Sequence, residues 1–204
     1  MKRLFLFSHP MMKDEFAKYI FPDELKEKKF AYMPTNGHEG FDQYVPMWQE
    51  YVKENGAEFI YIDNTKRGEE AKIEAEKILS CNILMSTGGN TFQLLHNLRE
   101  SGLFETIKQF VQKDEFIFTG FSAGAIIMTP SIAVAGQPAG TDPNDLMDEN
   151  IPGITDLTAL GLVNFEVYPH YNEATDKGYL ENYQKQTTNE VKALADEDYI
   201  LIDL

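Results

Sequence analysis

The sequence predicts an α/β protein, a three-layer sandwich with a mostly parallel central sheet. Two observations carry that expectation. Short apolar runs alternate with longer amphipathic segments, the pattern of βαβ units whose parallel sheet is covered on both faces. Two of the apolar runs also lead into glycine-containing turns that open helices. In such sheets ligand sites form beyond the carboxyl ends of the strands, which is where both turns lie.

Residues 4–7, Leu-Phe-Leu-Phe, read as a buried opening strand that ends at Ser8-His9-Pro10. Residues 30–33 are a second strand, closed by Pro34-Thr35-Asn36-Gly37. Phe41, Tyr44, Val45, Trp48 and Val52 share one helical face, and Pro46 inside that pattern moves the start of the regular helix towards itself. Asn55-Gly56 ends it. Residues 59–62 are a strand, and 69–79 a helix with Ala71, Ala75, Ile78 and Leu79 on one face. Residues 83–85 are a strand that runs into Ser86-Thr87-Gly88-Gly89-Asn90-Thr91. Residues 92–99 and 104–112 are helical, parted near Ser101-Gly102. Residues 116–118 are a strand that runs into Gly120-Phe121-Ser122-Ala123-Gly124, and 125–128 continue as helix.

The stretch 129–161 is rich in proline and glycine and carries Asp142, Asp145, Asp148 and Glu149. It reads as loops and short irregular or β pieces near the site. Residues 163–168 return to strand character and deliver Pro169-His170-Tyr171. Residues 179–192 look weakly helical, and 199–202 form a last short strand. At 204 residues, the expectation is one α/β domain spanning 1–204.

Composition narrows the function. Eighteen Lys+Arg stand against 33 Asp+Glu, a formal net charge of −15. Such a field repels nucleic acid and anionic membrane surfaces, which reward clustered cations. The single cysteine, Cys81, allows no intrachain disulfide and no cysteine-based zinc cluster. The first apolar run is too short for a signal-peptide core, and no stretch approaches the ~20 apolar residues of a membrane span. A soluble cytoplasmic protein is expected.

Gly120-Phe121-Ser122-Ala123-Gly124 fits G-x-S-x-G between a strand and a helix. A serine on such a sharp turn sits in strained backbone, and the positions two away must lack side chains. Its hydroxyl is exposed at a helix start, where the Ala123 N–H can bind an oxyanion. The paired glycines Gly88-Gly89 allow close backbone approach, so one of their N–H groups could complete that oxyanion hole. Asn90 or Thr91 would cap the helix that follows. A serine needs a base. His170, at the end of a strand-like run downstream of the serine, suits that role. His9 ends the first strand at the same sheet edge and stays open. His38, in a glycine-flanked loop, and His96, mid-helix, read as surface or packing residues. The base needs an orienting acid, for which Asp196-Glu197-Asp198 precede the last strand. The acidic residues 142–149 lack histidine and ligand spacing and are not read as a metal site.

With these motifs the chain resembles the dipeptidase E (aspartyl dipeptidase) family of serine peptidases, relatives of cyanophycinase. That family shares the class I glutamine amidotransferase-like, flavodoxin-like fold. The matching pieces are residues 86–92, residues 120–125, Asn144-Asp145 and Tyr168-Pro169-His170-Tyr171, in the family's order. The resemblance implies Ser122 as nucleophile, His170 as base, and Gly89 and Ala123 as oxyanion donors. It implies Glu197 as the triad acid, with Asp196 one residue away as the alternative. Asn90 and Asp145 would bind substrate, Asp145 through the free amino group of a short peptide. No metal or organic cofactor is implied, and the protein would be a monomer or homodimer acting on short peptides. An N-terminal Asp preference would call for a cationic clamp, yet Arg3, Arg67 and Arg99 are the only arginines, none beyond position 99. A lysine is no bidentate substitute, so a weak preference is expected. An esterase-like serine hydrolase and a non-catalytic binding protein are the alternatives. Amidotransferase chemistry is disfavoured, because Ser122 stands where that chemistry uses cysteine.

Overall fold

A computed structural model describes residues 1–9, 14–36 and 44–204. The expectations for His38 and Phe41 lie outside these residues. The strands are β1 (Lys2–Phe7), β2 (Lys29–Met33), β3 (Glu58–Tyr61), β4 (Ile83–Ser86), β5 (Phe116–Phe121), β6 (Phe165–Tyr168), β7 (Glu190–Ala193) and β8 (Tyr199–Asp203). The helices are α1 (Asp14–Ile20), α2 (Val45–Glu54), α3 (Gly68–Ser80), α4 (Thr91–Ser101), α5 (Leu103–Phe110), the short α6 (Ala123–Ile126) and α7 (Glu173–Gln184). Six strands form one sheet in the order β3-β2-β4-β5-β1-β8. All its pairings are parallel except β1 with β8. β6 and β7 form a separate parallel pair.

Alternation along each strand feeds two cores. Leu4, Leu6, Ala31, Met33, Leu84 and Phe118 point to the face covered by α3, α4, α5 and α6. Phe5, Phe7, Phe30, Tyr32, Ile83, Met85 and Ile117 point to the other face, under α1 and α2. Burial on both faces is why the strands read as continuous apolar runs rather than as alternating ones. This is the three-layer α/β sandwich that the sequence predicts.

Local chemistry sets the boundaries. Pro46 falls in the first turn of α2, where its missing N–H costs nothing. The Asn90 side chain accepts the Gln93 N–H to cap α4, and Gly102 ends that helix in left-handed geometry, φ 78°. Leu79 departs from its expected place. Next to buried Ile78, it is turned about 100° around α3 and lies exposed. The last third departs further. The helix expected over 179–192 begins earlier, at Glu173, where the Asn172 side chain accepts the Ala174 N–H as N-cap. It stops at Gln184, and residues 190–193 are strand β7, with Val191 buried against α7 and β6. The stretch 129–161 holds a 3₁₀ turn (Ala133–Gly136) and two isolated bridges, Ser131 with Thr158 and Pro138 with Leu146.

Register brings the site together. Phe7 lies opposite Phe121, and Ser86 opposite Gly120. β1, β4 and β5 therefore end at one level, with Ser8, the Thr87–Gly89 turn and Ser122 side by side.

Candidate active site

Ser122 follows β5 directly, with φ 51° and ψ −117°, a left-handed geometry that a side chain adopts only under constraint. The constraints are visible. The Ser122 N–H donates to the Phe7 carbonyl at 3.1 Å, and its own carbonyl accepts from the N–H groups of Ala125 and Ile126. A Cβ on Gly124 would lie 2.0 Å from the Ser86 carbonyl oxygen, and one on Gly120 would lie 2.3 Å from that of Gly124. Both flanking glycines of the motif are thus steric requirements. Ala123 opens α6, so its N–H has no intrahelical acceptor.

The Gly88-Gly89 turn sits against this elbow. A Cβ on Gly88 would come within 3.2 Å of the Ser122 Cβ. Gly89 is exposed, with φ 130°, and a Cβ there would meet Thr35 at 2.9 Å. The Thr35 hydroxyl donates to the Gly88 carbonyl at 2.8 Å, which fixes the turn.

His170 leaves β6 in left-handed geometry, φ 57°. Its Nε2 lies 3.0 Å from the Ser122 Oγ and its Nδ1 lies 2.7 Å from the Asp196 Oδ1. The carboxylate beside His170 is therefore Asp196, one residue before the first-choice Glu197. The reason is local. Ala195 and Asp198 close a tight turn, the Ala195 N–H donating to the Asp198 carboxylate and the Asp198 N–H to the Ala195 carbonyl. Within that turn Asp196 faces the imidazole, and Glu197 is the exposed residue that follows it. The arrangement is open to solvent, with the His170 side chain 41% and the Asp196 side chain 63% accessible.

His9 also reaches the site, its ring edge-on to His170 with centroids 6.1 Å apart. His96 is half-buried on α4. Of the residues expected to bind substrate, Asn90 is occupied otherwise. Its side chain caps α4 and donates to the Glu149 carbonyl at 2.8 Å. Asp145 lies exposed in the acidic loop, which its backbone holds closed through bonds to Ala139 and Asp142.

Sequence reasoning missed Asp148. Its Oδ2 accepts from the Thr91 N–H at 2.9 Å and the Thr91 hydroxyl at 2.6 Å. Burial raises its pKa above the usual aspartate range, against the pull of the Thr91 bonds and of charge on His170. The Thr91 bonds place the root of the acidic loop beside the Gly88-Gly89 turn. Asp176, buried on α7, binds the same loop through the Gly140 N–H at 2.9 Å and the base-bearing loop through the Asn172 N–H at 2.8 Å. The Asp148–Thr91 contact joins residues 57 apart and leaves no local mark in the sequence.

Comparison with known proteins agrees with the fold. The model of Peptidase family S51 matches residues 5–203. An uncharacterized peptidase of Pasteurella multocida (strain Pm70) is 31% identical over 188 residues, which cover 91% of this chain and 83% of that protein. Peptidase E of Salmonella arizonae is 32% identical over 122 residues; the match covers 60% of this chain and about half, 48%, of that relative. Among solved structures, a Listeria monocytogenes EGD-e protein assigned to peptidase E superposes with a TM-score of 0.75 at 25% identity, over 100% of this chain and 99% of that one. A peptidase from an acI-B1 Actinobacterium shares the fold, with a TM-score of 0.70 at 16% identity, over 99% of this chain and 83% of that one. The chain belongs to Peptidase family S51 and is a serine-type peptidase.

Proposed function

We propose that this peptidase hydrolyses short peptides with a free N-terminus through a Ser122–His170–Asp196 triad and an acyl-enzyme. The observation that carries the proposal is the pair of contacts at one imidazole, 3.0 Å to the Ser122 Oγ and 2.7 Å to the Asp196 Oδ1. Asp196 fixes the tautomer by accepting from Nδ1–H, which leaves the Nε2 lone pair for the serine proton. The Ser122 oxygen attacks the scissile carbonyl as its proton passes to Nε2. The N–H groups of Ala123 and Gly89 receive the developing oxyanion. The C–N bond then breaks, and the amine departs with the proton held on His170. Water attacks the acyl ester by the same route, releasing the acid and restoring the serine hydroxyl.

The site's surroundings favour a cationic group on the substrate. Asp145 stands at the exposed rim of the acidic loop and Asp148 at its root, so the ammonium of an unblocked peptide finds carboxylates there. No guanidinium is free to clamp an acidic side chain. Arg3 pairs with Asp203, Arg99 with Asp156, and Arg67 donates to the carbonyls of Asn64 and Lys66. Lys177 pairs with Glu173 on α7. An N-terminal Asp is therefore accepted rather than selected.

The test combines labelling and turnover. A fluorophosphonate should label the wild-type protein at Ser122. Unblocked dipeptides should be cleaved and their N-acetyl forms should not. Wild-type protein that stays unlabelled, or labelling at another residue, would refute the triad. Equal cleavage of the acetylated peptides would remove the role of the acidic loop.

A further inference from the structure

We propose that Ser8 is a positioning residue of this catalytic machinery: its buried hydroxyl, seated between the backbones of His170 and Leu194, sets the aim of the base at both Ser122 and Asp196. The proposal rests on the triad reading above. Ser8 is fully buried, at 0% exposure, yet it belongs to no sheet pairing. It follows Phe7, which lies opposite Phe121 of β5 on one side and Tyr199 of β8 on the other. It thus stands between the strand that delivers the nucleophile and the strand that follows the acid turn.

A serine hydroxyl has one proton to give and two lone pairs to receive. Here it accepts the His170 N–H at 2.7 Å and donates to the Leu194 carbonyl at 3.2 Å. The Ser8 N–H donates to the Asp198 carbonyl at 3.2 Å. One residue therefore holds the base loop and both ends of the turn that carries Asp196. Two more bonds knit these loops together, from the Leu194 N–H to the Tyr168 carbonyl at 2.9 Å and from the Tyr171 N–H to the Leu194 carbonyl at 3.0 Å.

The bond to His170 matters because of what that residue's backbone does. A non-glycine residue at φ 57° persists only where neighbours over-determine it. The Ser8 hydroxyl is the acceptor of the N–H at that strained position. Without it the peptide can rotate towards ordinary geometry, and the imidazole swings with it. Both triad contacts are made by that one ring, through Nδ1 and Nε2, so one small rotation disturbs both. Displacements of about 1 Å in such a constellation cost on the order of a hundredfold in rate.

The experiment is a double-mutant cycle with steady-state kinetics on an unblocked dipeptide. Its variants are Ser8→Ala, Asp196→Asn and the double variant, each checked for folding by circular dichroism. Ser8→Ala should lower kcat by about 10- to 100-fold and leave KM within about twofold, because substrate contacts are untouched. In the Asp196→Asn background the same change should cost less than about threefold, since the geometry it serves is already lost. A purely structural tie would lower the melting temperature and act equally in both backgrounds. Equal loss in both, or a folded Ser8→Ala with kcat within twofold of wild type, would overturn the proposal. Where Ser8→Ala does not fold, Ser8→Cys, somewhat larger and a weaker acceptor, is read by the same criteria. Fluorophosphonate labelling of wild-type Ser122 is scored separately. Its absence sinks the triad reading, whereas labelled wild type with an unaffected Ser8 variant sinks only the role of Ser8.

Discussion

At the scale of single residues, the proposed triad turns on the imidazole of His170, which meets both Ser122 and Asp196. Removing the nucleophile should be close to total: Ser122→Ala is expected to keep the fold and lose on the order of 10⁶ in kcat, read by dipeptide turnover of purified protein. Retention of a tenth of the activity would place the nucleophile elsewhere. The acid is the sharper case. Asp196→Asn should cost about 10⁴ in kcat, because the imidazole loses the partner that fixes its tautomer. Glu197→Gln, in the same turn, should cost little. The elbow that carries Ser122 was legible in the sequence because its glycines are steric necessities with a fixed spacing. The carboxylate that meets His170 was legible only to within one residue, because three consecutive carboxylates look alike until the turn at Ala195–Asp198 orients them. Asp148 adds a pH signature. Its carboxyl pKa is raised by burial, so the native state binds that proton more tightly than the unfolded chain does. Stability then falls as pH rises from the ordinary aspartate range through the raised value. Asn at this position carries no such cost, and its amide oxygen can still accept from Thr91. The melting temperature of Asp148→Asn, relative to wild type, should therefore be higher at pH 7 than near pH 4. An offset that is equal at both pH values would deny that the raised carboxyl shapes stability.

At the scale of elements, the site is a product of strand ends and the turns they force. The β5–α6 elbow tolerates no Cβ at Gly124, which would stand 2.0 Å from a backbone oxygen of β4, a group that cannot swing away. Gly124→Ala should cost about 3 kcal/mol or more and abolish turnover, since relief requires the elbow and β4 to part. Gly102 supplies the contrast. Its φ is 78°, but a Cβ there meets nothing within 4 Å. Gly102→Ala should cost only about 1–2 kcal/mol of left-handed strain and leave kcat alone. Denaturant midpoints and turnover on the two variants check both statements, and comparable losses from the two would show that the elbow is not sterically closed. The parallel strands were readable because burial on both faces leaves unbroken apolar runs. β7 was not, because Glu-Val-Lys-Ala offers one buried side chain, Val191, and takes its conformation from pairing with β6. The placement of Ser8 was equally hidden, since a hydroxyl at a strand end carries no sequence mark of the two loops it will join.

At the scale of the whole molecule, charge governs which peptides approach. The formal net charge is −15. Asp148, held on Thr91, roots the loop that also carries Asp142, Asp145 and Glu149, and Asp196, Glu197 and Asp198 lie in the turn beside His170. The three arginines are engaged at other contacts, Arg3 at the opposite end of β1 from Ser8. A substrate therefore meets a negative potential that salt weakens, over a screening length of about 10 Å at 0.1 M and about 3 Å at 1 M. The sign of the salt effect on kcat/KM should follow the net charge of the peptide. An unblocked Lys-Leu dipeptide should lose about two- to tenfold between low and high salt, Ala-Leu should hardly change, and Asp-Leu should gain by a similar factor. The same series measures specificity. Without a guanidinium clamp, the kcat/KM ratio of Asp-Leu to Asn-Leu should stay far below about 10⁴, the discrimination reached by sites built around a dedicated polar partner. Asp-Leu cleavage that weakens with salt, together with a ratio near that limit, would reveal a cation at the substrate side chain that outweighs the field of the whole molecule. In that case the acidic loop would guard the entrance, and specificity would be set deeper in the site.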